Sequence, residues 1–173
     1  IAVVVALTAA APGFAGDVAV TSVVGELDIP VDLVDERLPV GGLSGLAYHP
    51  ACDLFYAISD DRGFVAPPRI HVFRLDLDRP SIRSIEVITL RDRDGRSFAR
   101  GVLDPESISL SPEGVLWVGT GGGGLNRFDR VNGRFIHYRT DLDDPYSLSN
   151  DRVRALYEDG AGELWVGKVG GGS

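Results

Sequence analysis

Five charged residues in two short segments are the ones best placed to do chemistry. The segment SDDRG sets Asp60, Asp61 and Arg62 between Ser59 and Gly63, directly after an apolar run. Adjacent carboxylates beside a guanidinium at a strand end can hold a cation or orient an anionic substrate. The same residues also suit an Asp-rich turn closed by Gly63 with a local ion pair. The segment LDPES adds Asp104 and Glu106 on either side of Pro105. If that strand lines the inside of a repeat architecture, Glu106 faces the channel near Asp60 or Asp61. Carboxylates from different units could then share Ca²⁺ or divide acid–base work. The competing role is that of turn acids capping a strand start. Asp60, Asp61, Asp104 and Glu106 are thus the candidate metal ligands, and Arg62 is the candidate substrate-binding residue. Calcium is the expected ion, because every candidate ligand is oxygen and no Cys or His pair lies nearby.

Other motif-like stretches carry less. RDRDGR offers Asp92 and Asp94, but Arg96 stands where a calcium loop needs its next ligand, so a hairpin turn at Asp94-Gly95 is expected. Gly121 to Gly124 have no Lys-Ser/Thr after them and read as a blade turn, not a phosphate loop. Ser44 in GGLSGL is followed by Leu46 where a nucleophile elbow needs Gly. His49, His71 and His137 are scattered, which gives no zinc pattern. His71 and His137 fall in strands, facing solvent or packed.

The elements that must position these residues are short strands. Apolar runs recur at Leu46–Tyr48, Leu54–Ile58, Ile70–Leu75, Ile85–Leu90, Ser107–Leu110, Leu116–Val118, Leu125–Phe128, Phe135–Tyr138, Val153–Tyr157 and Leu164–Val166, with Gly, Pro, Asp and Asn between them. RIHVFRL alternates, with Ile70 and Val72 opposed to His71, as in a strand with one buried face. Such a chain is all-β: a sandwich, a barrel or a propeller. A repeat decides among them. SLSPEGVLWVGTGGGG matches YEDGAGELWVGKVGGG without a gap, so that Trp117 recurs as Trp165. A period of about 40–50 residues with a Gly turn and a Trp strand fits a four-stranded propeller blade. The tryptophans are expected to pack between neighbouring blades. At about 45 residues per blade, the residues after position 15 suffice for three to four four-stranded blades, where closed propellers use about 4–8. An incomplete or open β-propeller follows, or one closed by self-association of copies.

Composition narrows the partners. The chain has 173 residues, 44% hydrophobic and 24% charged, with a net charge of −8 that repels phosphate backbones and excludes nucleic acid as a partner. Cys52 is the only cysteine, so no internal disulfide forms. Ile1 to Ala11 are apolar or small apart from Thr8, too short a run for the roughly 20 residues that cross a bilayer. The run fits the core of a secretory signal, with Gly13 and Ala15 preceding a cut before Gly16. A buried strand is the competing assignment, since IAVVVAL has high β propensity. With no methionine even at position 1, the sequence is expected to begin inside a longer reading frame or to have lost its initiator. Residues 1–15 are then a signal remnant that stays out of the propeller core, extending away or forming an isolated helix, and the mature protein is periplasmic or extracellular.

Two resemblances refine this. GGLSGLAYHP (Gly41 to Pro50), FYAISDDRG (Phe55 to Gly63), PRIHVFRLDL (Pro68 to Leu77) and LDPESISLSPEGVLWV (Leu103 to Val118) resemble, in order and spacing, the phytase-like family, also called esterase-like activity of phytase. Its members are secreted bacterial propellers; GTGGGG stands here where the family often has an acidic signature. From Leu116 to Ser173 the chain is similar to the two-component regulator propeller repeat, whose blades form periplasmic sensor parts of hybrid histidine kinases. The expected division is a signal remnant at 1–15, a phytase-like part at 16–118 and a regulator-type blade at 119–173. The first resemblance implies an exported protein that hydrolyses or binds a phosphorylated or ester ligand with cation assistance. The second implies a non-catalytic ligand-sensing module, or a fragment of one.

Overall fold

In a computed structural model of the chain, the structure describes residues 2–5, 25–30, 32–33, 38–76, 78–92, 94–111, 113–129, 132 and 134–170. They hold twelve strands and no helix. These are β1 (Ala2–Val5), β2 (Gly25–Asp28), β3 (Leu43–His49), β4 (Leu54–Ser59), β5 (Arg69–Asp76), β6 (Ser81–Thr89), β7 (Pro105–Leu110), β8 (Leu116–Thr120), β9 (Leu125–Asp129), β10 (Arg134–Tyr138), β11 (Val153–Glu158) and β12 (Leu164–Lys168). β3 to β6 form one antiparallel meander and β7 to β10 a second, each in sequential order, and β11–β12 begin a third. The first strands β3, β7 and β11 lie side by side. The sheets are therefore propeller blades set around their inner strands. Among the described residues, two blades are complete and two strands of a third are present, against the three to four four-stranded blades expected. Among the described residues, positions 1–42 add only β1 and β2.

The repeat is visible in the backbone as well as in the letters. In each blade the register of the first strand against the second shifts at one point: between Leu43 and Gly45, Pro105 and Ser107, and Val153 and Ala155. One residue is extra at each bulge, namely Ser44, Glu106 and Arg154. A bulge re-aims its side chain and adds twist. Just beyond it the same hydrogen bond closes each blade's inner end. Asp60 N donates to Gly42 O at 2.7 Å, Gly121 N to Asp104 O at 2.6 Å, and Val169 N to Arg152 O at 3.0 Å.

Burial follows the stacking of blades. Tyr56, Ile58, Ile70, Val72 and Ile88 of the first blade pack against Ile108, Leu116, Val118 and Phe135 of the second. Each fully buried side chain of this size contributes about 1.5–3 kcal/mol. The opposite face of the first blade, with Phe55, Ala57, Phe73 and Leu75, is covered by Ile29 and Val40 together with Leu27 and Leu33. β5 is thus buried on both faces and His71 is fully enclosed, which corrects the single buried face read from RIHVFRL.

Trp117 and Trp165 occupy equivalent second strands, paired with Ser109 and Tyr157, and Tyr56 is their counterpart in the first blade. Their burial falls along the arc. Tyr56 is 3% exposed beneath a complete blade. Trp117 is half-buried, with Tyr138 and Arg127 of its own sheet around it. Trp165 is 60% exposed, because no described sheet follows it. The packing between blades expected of the tryptophans is therefore not seen at Trp165, and it is their counterpart Tyr56 that a following blade buries.

Ala2–Val5 is a strand paired antiparallel with Gly25–Asp28, in a two-stranded sheet separate from the blades. The expected helix or extended arm is not what this stretch forms. The rest of the stretch expected to be a signal remnant, residue 1 and residues 6–15, lies outside the described residues. Asp94-Gly95 is a turn, with Gly95 at φ 78° and its N–H on Asp92 O, below a bridge between Arg91 and Ser97. No helix of the described residues is long and apolar enough to cross a membrane.

Candidate functional site

The chain leaves β4 through a tight turn at Asp60 to Gly63. Arg62 (φ 56°) and Gly63 (φ 77°) both adopt the left-handed conformation, which is uncommon for arginine and easy for glycine. Asp61 organises this turn: its Oδ1 accepts the N–H of Gly63 at 2.7 Å. Its Oδ2 turns inward to Arg69 Nη1 at 2.5 Å. The local ion pair foreseen for this turn exists, but its cation is Arg69 at the start of β5 and not Arg62.

Arg69 is 1% exposed. A buried guanidinium is tolerable only when its donors are matched and its charge is paired. Here Nη2 donates to Pro39 O at 2.5 Å, Nη1 also reaches Pro67 O at 3.2 Å, and Nε donates to His71 Nε2 at 3.1 Å. Accepting at Nε2 keeps His71 neutral. Burial, and then the charge of Arg69, lower its pKa from 6.5 to about 4, with Asp61 opposing. The sequence reading missed Arg69 and the role of His71, since both sit at positions that a half-buried strand would turn to water.

The remaining charges line the inner rim. Arg62 Nε lies 3.5 Å from Asp104 Oδ1. Glu106, the bulge residue of the second blade, pairs with Arg154, the bulge residue of the third. Asp104 and Glu106 flank Gly121: a Cβ there would stand 2.8 Å from Asp104 Oδ2 and 3.0 Å from Glu106 Oε1. The order Arg62, Asp104, Glu106, Arg154 therefore alternates in sign at its two ends and crosses three blades. Ser44, the bulge residue of the first blade, donates to Pro105 O at 3.2 Å. Asp60 is exposed, its carboxylate against Gly42.

The structure thus brings Arg62, Asp104 and Glu106 together and turns Asp61 away into the first blade. Calcium takes about 6–8 oxygen ligands, whereas Asp61, Asp104 and Glu106 each face an arginine. Among the described residues, no three His, Cys, Asp or Glu side chains are grouped to hold a metal. Arg154 was also missed; its signal was its place 48 residues after Glu106, one repeat on.

Residues 38–163, which include every rim residue named above, match the family described as Phytase-like: Esterase-like activity of phytase. The chain belongs to the phytase-like family. The match runs through Trp117 into the segment that resembles the regulator repeat. Over 59 residues this phytase-like chain is 34% identical to Histidine kinase P4 of Formosa agariphila, a stretch equal to 34% of the chain and 4% of the kinase. Its fold is similar to the extracellular domain of a hybrid two-component system from B. thetaiotaomicron, with a TM-score of 0.50 and 16% identity. That likeness covers 83% of this chain and 16% of the other. A luciferin-regenerating enzyme aligns with a TM-score of 0.49 and 18% identity, over 76% of this chain and 38% of the enzyme. The chain spans a small part of these longer proteins.

Proposed function

We propose that this phytase-like chain is part of an exported ligand-sensing propeller, which binds its ligand without breaking a bond. The observation that carries this reading is the pairing of three of the four carboxylates best placed for chemistry, Asp60 being the exposed fourth. Asp61 lies on Arg69, Asp104 on Arg62 and Glu106 on Arg154. A general acid must lie within hydrogen-bond reach of the atom it protonates, and each of these carboxylates is instead held by an arginine. The rim charges join neighbouring blades, which suits a module that passes a binding event through its blade contacts. The identity to a histidine kinase and the fold shared with the extracellular part of a two-component system favour the same role and an exported location.

A second reading keeps the activity in the family's description: hydrolysis of a phosphorylated or ester substrate, with Arg62 orienting the anion and a cation assisting at Asp60 or Glu106. It would require Glu106 to leave Arg154. Thermal melting of the purified chain against sugars, amino acids, short peptides and phosphate esters separates the two. The sensing role predicts a saturable rise in Tm with the ligand recovered unchanged; binding at a hundredfold excess over Kd adds about 2.7 kcal/mol. Recovery of a cleaved ligand would contradict it.

A further inference from the structure

Between the connection at residues 91–103 and the outer strand β10 lies a cavity of about 670 Å³. That volume falls within the range of about 300–1,000 Å³ usual for small-molecule sites. It is separate from the inner-rim charges. Its apolar lining comes from Phe98, Leu103, Phe135 and Ile136, and its charged lining includes Asp92 and Arg139.

A third charged group of the lining, Asp94, is paired with Arg96 at 3.2 Å, whereas Asp92 and Arg139 are held differently. Asp92 Oδ1 accepts the N–H groups of Asp94 at 2.9 Å and Arg96 at 2.8 Å, which fixes the carboxylate, while Oδ2 takes no bond among the described residues. Arg139 is exposed, and among the described residues its one anchor is Nε on Gly123 O at 3.4 Å. Among the described residues it pairs with no carboxylate, Asp92 included. The cavity therefore offers a fixed negative group and an uncommitted guanidinium, kept from each other's ion-pair distance, with apolar surface in the same lining.

We propose that this cavity binds a small zwitterion, an amino acid or dipeptide with apolar side chains. Its carboxylate would take the Arg139 fork, its ammonium group Asp92, and its side chains the surface of Phe98, Phe135 and Ile136. Guanidinium and carboxylate meet in paired, charge-assisted hydrogen bonds. The proposal rests on the ligand-binding reading above, and names its site and ligand class.

Isothermal titration with L-leucine and Leu-Leu tests it, alongside N-acetyl-Leu-Leu and Leu-Leu amide, which each lack one charge. Leu-Leu is expected to bind saturably. Each capped form, and Leu-Leu with Arg139→Gln, should bind about tenfold or more weakly, as for loss of a hydrogen bond to a charged group. Because Arg139 is exposed, the variant should melt with the unaltered chain. Equal affinity of the capped forms, equal affinity of Arg139→Gln, or no heat from L-leucine or Leu-Leu at millimolar concentration would each overturn the proposal. Binding of maltose that ignores Arg139→Gln, with no peptide binding, would sink it and leave ligand sensing standing. Ester turnover together with Arg139-dependent peptide binding would sink the sensing role and support this one.

Discussion

Arg69 carries a full charge into the interior of the first blade, where Asp61 and backbone carbonyls receive it. Removing one partner of a buried pair costs about 3–5 kcal/mol, because the other is left uncompensated. Asp61→Asn should therefore lower unfolding stability by that amount in urea titration. Arg62→Gln, at a half-exposed side chain, should cost about 0–1 kcal/mol. Equal losses would mean that Asp61 does not anchor the turn. His71 adds a pH dependence. Its folded pKa is about 4 against 6.5 ordinarily, so between these values the unfolded chain binds a proton that the folded chain refuses. Its contribution is full above pH 6.5 and is lost as pH falls through about 4, amounting to roughly 3 kcal/mol. His71→Gln, which still offers Arg69 an acceptor, should flatten the fall of Tm across that window; an unchanged slope would contradict the assignment. None of this was legible in RIHVFRL. The alternation shows which residues oppose which, but not that Leu27, Ile29, Leu33 and Val40 cover the second face.

At the scale of elements, the strands and their repeat were legible. Gly, Leu, Trp and Val recur at one spacing, and a repeated strand pair must bury a repeated face. The bulge was not legible, because nothing in the residue types marks an extra residue in a strand. Yet the bulge is what aims Glu106 at Arg154. A double-mutant cycle with Glu106→Gln and Arg154→Gln should give a coupling of about 0.2–1 kcal/mol that shrinks with added salt, since the Arg154 side chain is 42% exposed. Zero coupling at low salt would remove the link between blades. Gly121→Ala should cost about 1–3 kcal/mol, as for overpacking, because the added methyl meets Asp104 Cβ at 3.1 Å as well as the two carboxylate ends. A stabilised variant would show that Asp104 and Glu106 do not flank that point.

For the whole molecule, the gradient from Tyr56 to Trp165 shows that each blade depends on the next for its core, as in other repeat architectures. The blade fold followed from the period; the number of complete blades did not, because the first 42 residues carry apolar runs without the repeat. The expected calcium cluster depended on acids one blade apart meeting. Asp104 and Glu106, two residues apart, flank Gly121, but Asp61 of the first blade turns to Arg69, and arginines from the first and third blades face the pair. Added calcium should accordingly leave Tm unchanged, and a rise that Asp104→Asn or Glu106→Gln abolishes would restore the metal site. The central claim, that these paired carboxylates join blades and do not cleave substrate, is tested most directly by the release of p-nitrophenol from its phosphate and acetate esters, with and without calcium. No release beyond the rate in buffer is expected from the chain; release that disappears in Glu106→Gln, with the variant still folded, would contradict the account.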